Sequence, residues 1–179
     1  MQFRVLLFPL LAVFVLASGA AFAEVPKSEA ERGPPFSVGG FRYELRPNDV
    51  HMFLCQQPAC GAQSRVSYRF YPPGNTLTLE QFREEQTQIV KVLEQRTPGQ
   101  KISILGIDGD SGTKVPRLFK ARRLMVKPNG TKEYQVSGYL FGDRGTASLI
   151  SSAATEKVSS DNYAQFAIGV MLVLAPAKR

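Results

Sequence analysis

The sequence predicts an α+β protein, mainly an antiparallel β-sheet with helices packed on its faces in an α/β/α sandwich. Two observations carry this. The order of hydrophobic periods reads as three short strands, a helix, four strands and a terminal helix, with no βαβ rhythm to call for parallel pairing. The second is Asn129-Gly130, a strong hairpin signal flanked by two long apolar-alternating runs. Both faces of that hairpin carry sizeable apolar residues, so the sheet is expected to be covered on each side, at least in part.

Before the first strand stands a segment of different character. Arg4 is followed by an apolar run of about 18 residues, Val5 to Phe22, ending in Ala21-Phe22-Ala23 before Glu24. A basic start, an apolar middle and an A-x-A ending are the three parts of a secretory signal peptide, read here as residues 1–23. Pro9 and the small residues Ala17 to Ala21 disfavour an uncleaved span. No Cys follows the cleavage point to accept a lipid. The stretch 24–40, rich in Glu, Lys, Ser, Pro and Gly, reads as a flexible leader to a single domain over 41–176, with order beginning near Phe36 or Phe41. Without its first 23 residues the chain carries 21 basic and 15 acidic side chains, a net of +6. That charge favours anionic partners or surfaces. No second stretch is long enough to cross a bilayer: the run from Phe166 to Ala175 has the length of a buried helix.

Phe41, Tyr43 and Leu45 alternate with Arg42, Glu44 and Arg46, a half-buried strand ended by Pro47-Asn48-Asp49. Val50–Leu54 and Ser64–Tyr71 are two further short strands. Between them stand Cys55 and Cys60, with four residues between the two and Pro58 and Gly61 suited to a chain reversal. Outside the cytosol such thiols pair, so a disulfide between Cys55 and Cys60 is expected. The alternative is a metal or redox site: His51, Cys55 and Cys60 are three soft ligands. A fourth His or Cys is lacking and the spacing is not C-x-x-C.

Thr78 precedes a helical stripe of Leu79, Phe82, Gln86, Ile89, Val90 and Leu93, with Gln81 at the reciprocal position of a capping box and Thr97-Pro98-Gly99 as the stop. Lys101–Ile107 is a strand. Asp108-Gly109-Asp110-Ser111-Gly112 begins like a calcium loop, but Phe119 stands where the bidentate Glu belongs, so it reads as a turn. The hairpin follows, 118–127 and 131–141. With Asn129 and Gly130 as a two-residue turn, Arg123 faces Val136 and Phe119 faces Leu140. A reversal at Gly142–Gly145 then brings Ala147 and Leu149 onto the face of Arg123, and Ile150 onto the other. The last element is a helix capped by Ser160 or Asp161, its core stripe Tyr163, Phe166, Ala167, Val170, Met171 and Leu174, stopped by Pro176.

The strand Thr146–Ser152 followed by the helix through Tyr163 and Phe166, together with the element order over Phe41 to Leu174, resembles the Mog1/PsbP-like fold group. That resemblance implies the layered antiparallel architecture and a role as an accessory subunit of an envelope complex, and transfers no site residue.

With a single His, no G-x-S-x-G elbow and no H-E-x-x-H, the chain reads as a non-enzymatic exported (periplasmic or secreted) protein with no cofactor. It is expected to bind an envelope protein or an anionic lipid or glycan surface. The candidate residues are Lys120, Arg122, Arg123, Lys127 and Lys132, which with Lys114 and Arg117 put seven basic residues in 19 positions without an acid. Arg123, on an apolar face, is expected to meet a carboxylate, reach a rim or await an anion. Nucleic acid fits the charge but not the compartment, and no stacking motif of a nucleic-acid module occurs.

Overall fold

The computed structural model describes residues 34–176; the expected signal peptide, 1–23, and most of the expected leader lie outside the described residues. Seven strands form one antiparallel sheet: β1 (Phe41–Arg46), β2 (Val50–Cys55), β3 (Arg65–Tyr71), β4 (Lys101–Gly109), β5 (Arg117–Val126), β6 (Lys132–Gly142) and β7 (Gly145–Ala153). Helix α1 (Leu79–Arg96) follows β3 and α2 (Glu156–Leu174) ends the domain. The order across the sheet is β1-β2-β3-β7-β6-β5-β4. The chain leaves the middle of the sheet after β3, crosses one face as α1, returns at the far edge as β4, and closes back by successive hairpins until β7 pairs with β3.

The two helices lie on opposite faces, as the pleat shows. Leu140 packs beneath α2, whereas its neighbours Tyr139 and Phe141 pack toward α1. The α2 face holds the larger core, built from Phe53, Val66, Tyr68, Val136, Leu140, Ala147 and Leu149 against Tyr163, Phe166, Val170 and Leu174. The α1 face holds a smaller one of Phe82, Phe119, Ala121 and Phe141. Gly138 is required where α2 presses closest: a Cβ there would stand 2.0 Å from the Phe119 carbonyl oxygen and 2.6 Å from the Tyr163 hydroxyl.

The hairpin register differs from the expected one by one residue. Met125 pairs with Glu133 and Arg123 with Gln135, not Val136. The turn has three residues, not two: the Lys127 amide donates to the Thr131 carbonyl, the Gly130 amide donates to the Lys127 carbonyl, and Gly130 takes a φ of 79°. Pro128 explains this. Its ring fixes φ near about −65°, suited to the first central position of a type I turn, and Gly130 then closes the left-handed bulge. A slip of one exchanges faces. Arg123 therefore lies under α1 with Phe119, Gln135 and Ile150, while Ala147 and Leu149 lie on the opposite face beneath α2.

Two other expectations are corrected. Helix α2 begins at Glu156, capped by Thr155, whose hydroxyl accepts from the Val158 amide at 3.3 Å. Its first two turns bury polar side chains, which hid them from an apolar pattern. Ser159 donates to the Ser151 carbonyl, and Asn162 donates to the Cys60 carbonyl and to Ser64. The leader, expected to run to Gly40, gives up its apolar residues to the core: Phe36 stacks on Tyr68 with ring centroids 5.2 Å apart and meets the edge of Phe166, and Val38 packs beside it. The expected capping box of α1 is present, Thr78 and Gln81 satisfying each other's amides.

Candidate functional site

The seven basic residues of β5 and its flanks are not gathered on one surface. Arg123 is 3% exposed and meets neither a carboxylate nor the rim; its guanidinium donates to the side-chain oxygens of Gln135, at 2.8 Å, and of Gln86 on α1. Burial holds its pKa below the ordinary guanidinium range. Arg117 is also buried, lying over the Phe141 ring at 3.9 Å and donating to the Leu77 and Asn75 carbonyls. Arg122 is paired with Glu156 at 2.9 Å, and Lys127 with Glu133 at 3.6 Å. Lys114, Lys120 and Lys132 are left in a loop at one end of β5, in its middle and beyond its other end. At about 3.3 Å per residue, these positions are too far apart to make one anion site.

Cys55 and Cys60 form a disulfide, S–S 2.02 Å, around the short 3₁₀ turn Pro58–Cys60. His51 is not gathered to them. It lies four residues up β2, about 13 Å of strand, with its ring stacked on Tyr68 at 4.7 Å and its Nδ1 within 3.1 Å of the Tyr43 hydroxyl. Burial lowers its pKa. Among the described residues no three His, Cys, Asp or Glu side chains are placed to hold a metal ion.

Lys127 and Lys132 do line one small concavity together, of about 180 Å³, with Arg65 and Glu133, but two larger concavities stand out among the described residues, one on each face. On the α2 face, a groove of about 540 Å³ runs between the second half of α2 and the β5–β6 pair. Its floor is the cross-strand pair Leu118 and Leu140, and its walls include Pro116, Ala167, Met171 and Pro176. On its helical lip stand Ile168 and Leu172, 65% and 72% exposed, the two most exposed large apolar side chains among the described residues. Asp110 and Asp143 line the groove as its acidic members, and the buried Arg117 is its one basic lining residue. The run read as a buried helix is thus buried on one side only. The signal was present: from Ala167 to Leu174 the sequence is apolar or glycine all round, wider than the stripe 163-166-170-174 needs.

On the other face, a cleft of about 1120 Å³ lies beside α1, lined by Gln81, Glu84, Glu85, Gln88 and Ile89 of the helix, by Asn75 to Leu77, and by Tyr139 of β6. Burial raises the pKa of Glu85, and burial together with Glu85 and Tyr71 raises that of Tyr139. No family model matches this chain, and no match to it was found among curated proteins. The two concavities therefore have to be read from their own chemistry.

Proposed function

We propose that this is an exported, non-enzymatic binding protein that docks a polypeptide partner of the envelope in the α2 groove. The observation carrying this reading is the pair Ile168 and Leu172 beside an apolar trough: exposed apolar side chains concentrated on one lip mark an interaction surface. One turn apart on α2, they offer the anchors that an amphipathic helix uses when it lies in a groove. Asp110 and Asp143 beside that trough, in a chain of net charge +7, favour a partner with basic residues flanking its apolar face. Export is supported by the residues 1–23 pattern and by the disulfide. Among the described residues no helix is long and apolar enough to cross a membrane. An accessory subunit, the role implied by the Mog1/PsbP-like resemblance, would use the same surface.

Site-specific photocrosslinking in the envelope tests this. A crosslinker at Leu172 is expected to give one protein adduct that disappears with Ile168→Asp, while the same group at Lys157 gives none. Adducts to lipid alone, or equal adducts at both positions, overturn the reading. Intact mass of native material tests export: a mass near the full 19.7 kDa refutes removal of the first 23 residues.

A further inference from the structure

The cleft beside α1 is lined mostly by polar side chains, whereas the groove is lined mostly by apolar ones. The helix packs chiefly over β4 and β5, so the same face of the sheet continues across β7 and β3 with Ile150 and Tyr71 at 39% and 37% exposure. Where the helix stops covering the strands, its outer residues Gln81, Glu84, Glu85 and Gln88 become a wall and Tyr139 the adjoining floor. Neither Lys nor Arg is among the lining residues, although the chain as a whole is basic.

The end of this cleft is held from beneath by a buried charge. Arg117, 6% exposed, donates through Nη1 to the Leu77 carbonyl at 2.7 Å and through Nη2 to the Asn75 carbonyl at 3.3 Å. A guanidinium placed over two phenylalanine rings and bonded to loop carbonyls fixes that loop at a cost in desolvation. Preorganised polar groups around a concavity are what a ligand site requires. The side-chain oxygen of Asn75 accepts from the Leu77 amide and that of Gln81 from the Thr78 amide, so each side chain keeps its NH₂ group as a donor.

We propose that this cleft binds an oligosaccharide built from amino sugars. The Tyr139 ring offers an apolar face for the C–H side of a pyranose. Glu84 and Glu85 take the ammonium groups as charge-assisted acceptors. Asn75, Gln81 and Gln88 meet the ring hydroxyls as donors and acceptors. The two carboxylates oppose an anionic chain. A bare polyamine satisfies the carboxylates but leaves the amide groups without partners once water is displaced, a loss for every unpaired polar group. This site is independent of the α2 groove and does not rest on it.

The test is titration of the ¹⁵N-labelled mature chain with a β-1,4-linked glucosamine tetramer, its fully N-acetylated counterpart, and spermine. The glucosamine tetramer is expected to shift amides at 75–77, 81–89 and 139, saturating at a dissociation constant of about 1 mM or tighter. The N-acetylated tetramer and spermine are each expected to bind at least about tenfold more weakly, and Glu84→Gln/Glu85→Gln, both exposed and outside the core, to lose about tenfold for the glucosamine tetramer. Equal binding of spermine shows that charge alone suffices and overturns the sugar assignment. Equal binding of the acetylated tetramer overturns the role of the carboxylates. Absence of shifts in the cleft overturns the site.

Discussion

Replacing Gln86 with leucine should damage this protein more than replacing the charge that Gln86 serves. The Arg123 guanidinium is buried between α1 and the sheet with two acceptors, the side-chain oxygens of Gln86 and Gln135, and its Nε has no partner. Gln86→Leu leaves a buried cation with one acceptor, and removing a partner from a buried charge costs about 3–5 kcal/mol. Arg123→Met leaves neutral amide oxygens instead. Gln135 is half-buried and reaches water, so the loss is chiefly the orphaned oxygen of Gln86, about 1–3 kcal/mol. It is offset in part because a desolvated charge has gone. The double substitution Arg123→Met/Gln86→Leu puts apolar groups on both sides and should return to within about 1 kcal/mol of the parent. Urea unfolding of the four proteins, read by circular dichroism, measures the cycle. In a parallel thermal melt, at about 2–4 °C per kcal/mol for a domain of this size, Gln86→Leu should lower the melting midpoint by roughly 6–20 °C. If Gln86→Leu is no worse than Arg123→Met, or the double variant falls by the sum of the two, the reasoning that an unbalanced charge dominates this layer is refuted.

Three further outcomes follow from other parts of the molecule. Gly138→Ala places a Cβ against the Phe119 carbonyl and the Tyr163 hydroxyl, and should cost at least about 3 kcal/mol or prevent folding; a midpoint within about 1 kcal/mol of the parent would contradict the contact. Cys55→Ser/Cys60→Ser opens a loop of sequence separation 5, for which chain entropy gives about 2 kcal/mol, measurable by urea unfolding against the parent without reductant. His51 has a folded pKa below its unfolded value, so the unfolded chain binds the proton first. Stability should then decline as pH falls below about 6.5 and level off beneath the folded pKa. His51→Phe should flatten that part of the pH profile, and an unchanged profile would assign the decline to other groups.

The layers were legible in the sequence because β1, β3 and β5 alternate and α1 carries a capping box. The sequence misled at Pro128, where a familiar dipeptide suggested a two-residue turn and one residue of slip moved Arg123 to the other side of the sheet. It hid the start of α2 because Ser159 and Asn162 bury hydroxyl and amide groups, which a hydrophobic period does not register. The disulfide was readable from spacing and the clustered cations were visible as a run. Whether a cation in that run faces water was not readable: Arg117 and Arg123 are interior because alternate positions of β5 lie under α1. The concavities escaped notice because each joins segments far apart in the chain, such as Leu118 with Met171 and Leu77 with Tyr139.

The ring of Phe36 lies against Gly169, so close that a Cβ on that glycine would stand 2.6 Å from it. A chain trimmed to begin at Phe41 would leave an empty slot along the helix, lined by Tyr68 and Phe166. The smallest piece that keeps its own interior filled begins before Phe36, so a tag or fusion joined at the first strand would unseat the ring that completes the aromatic cluster beneath α2.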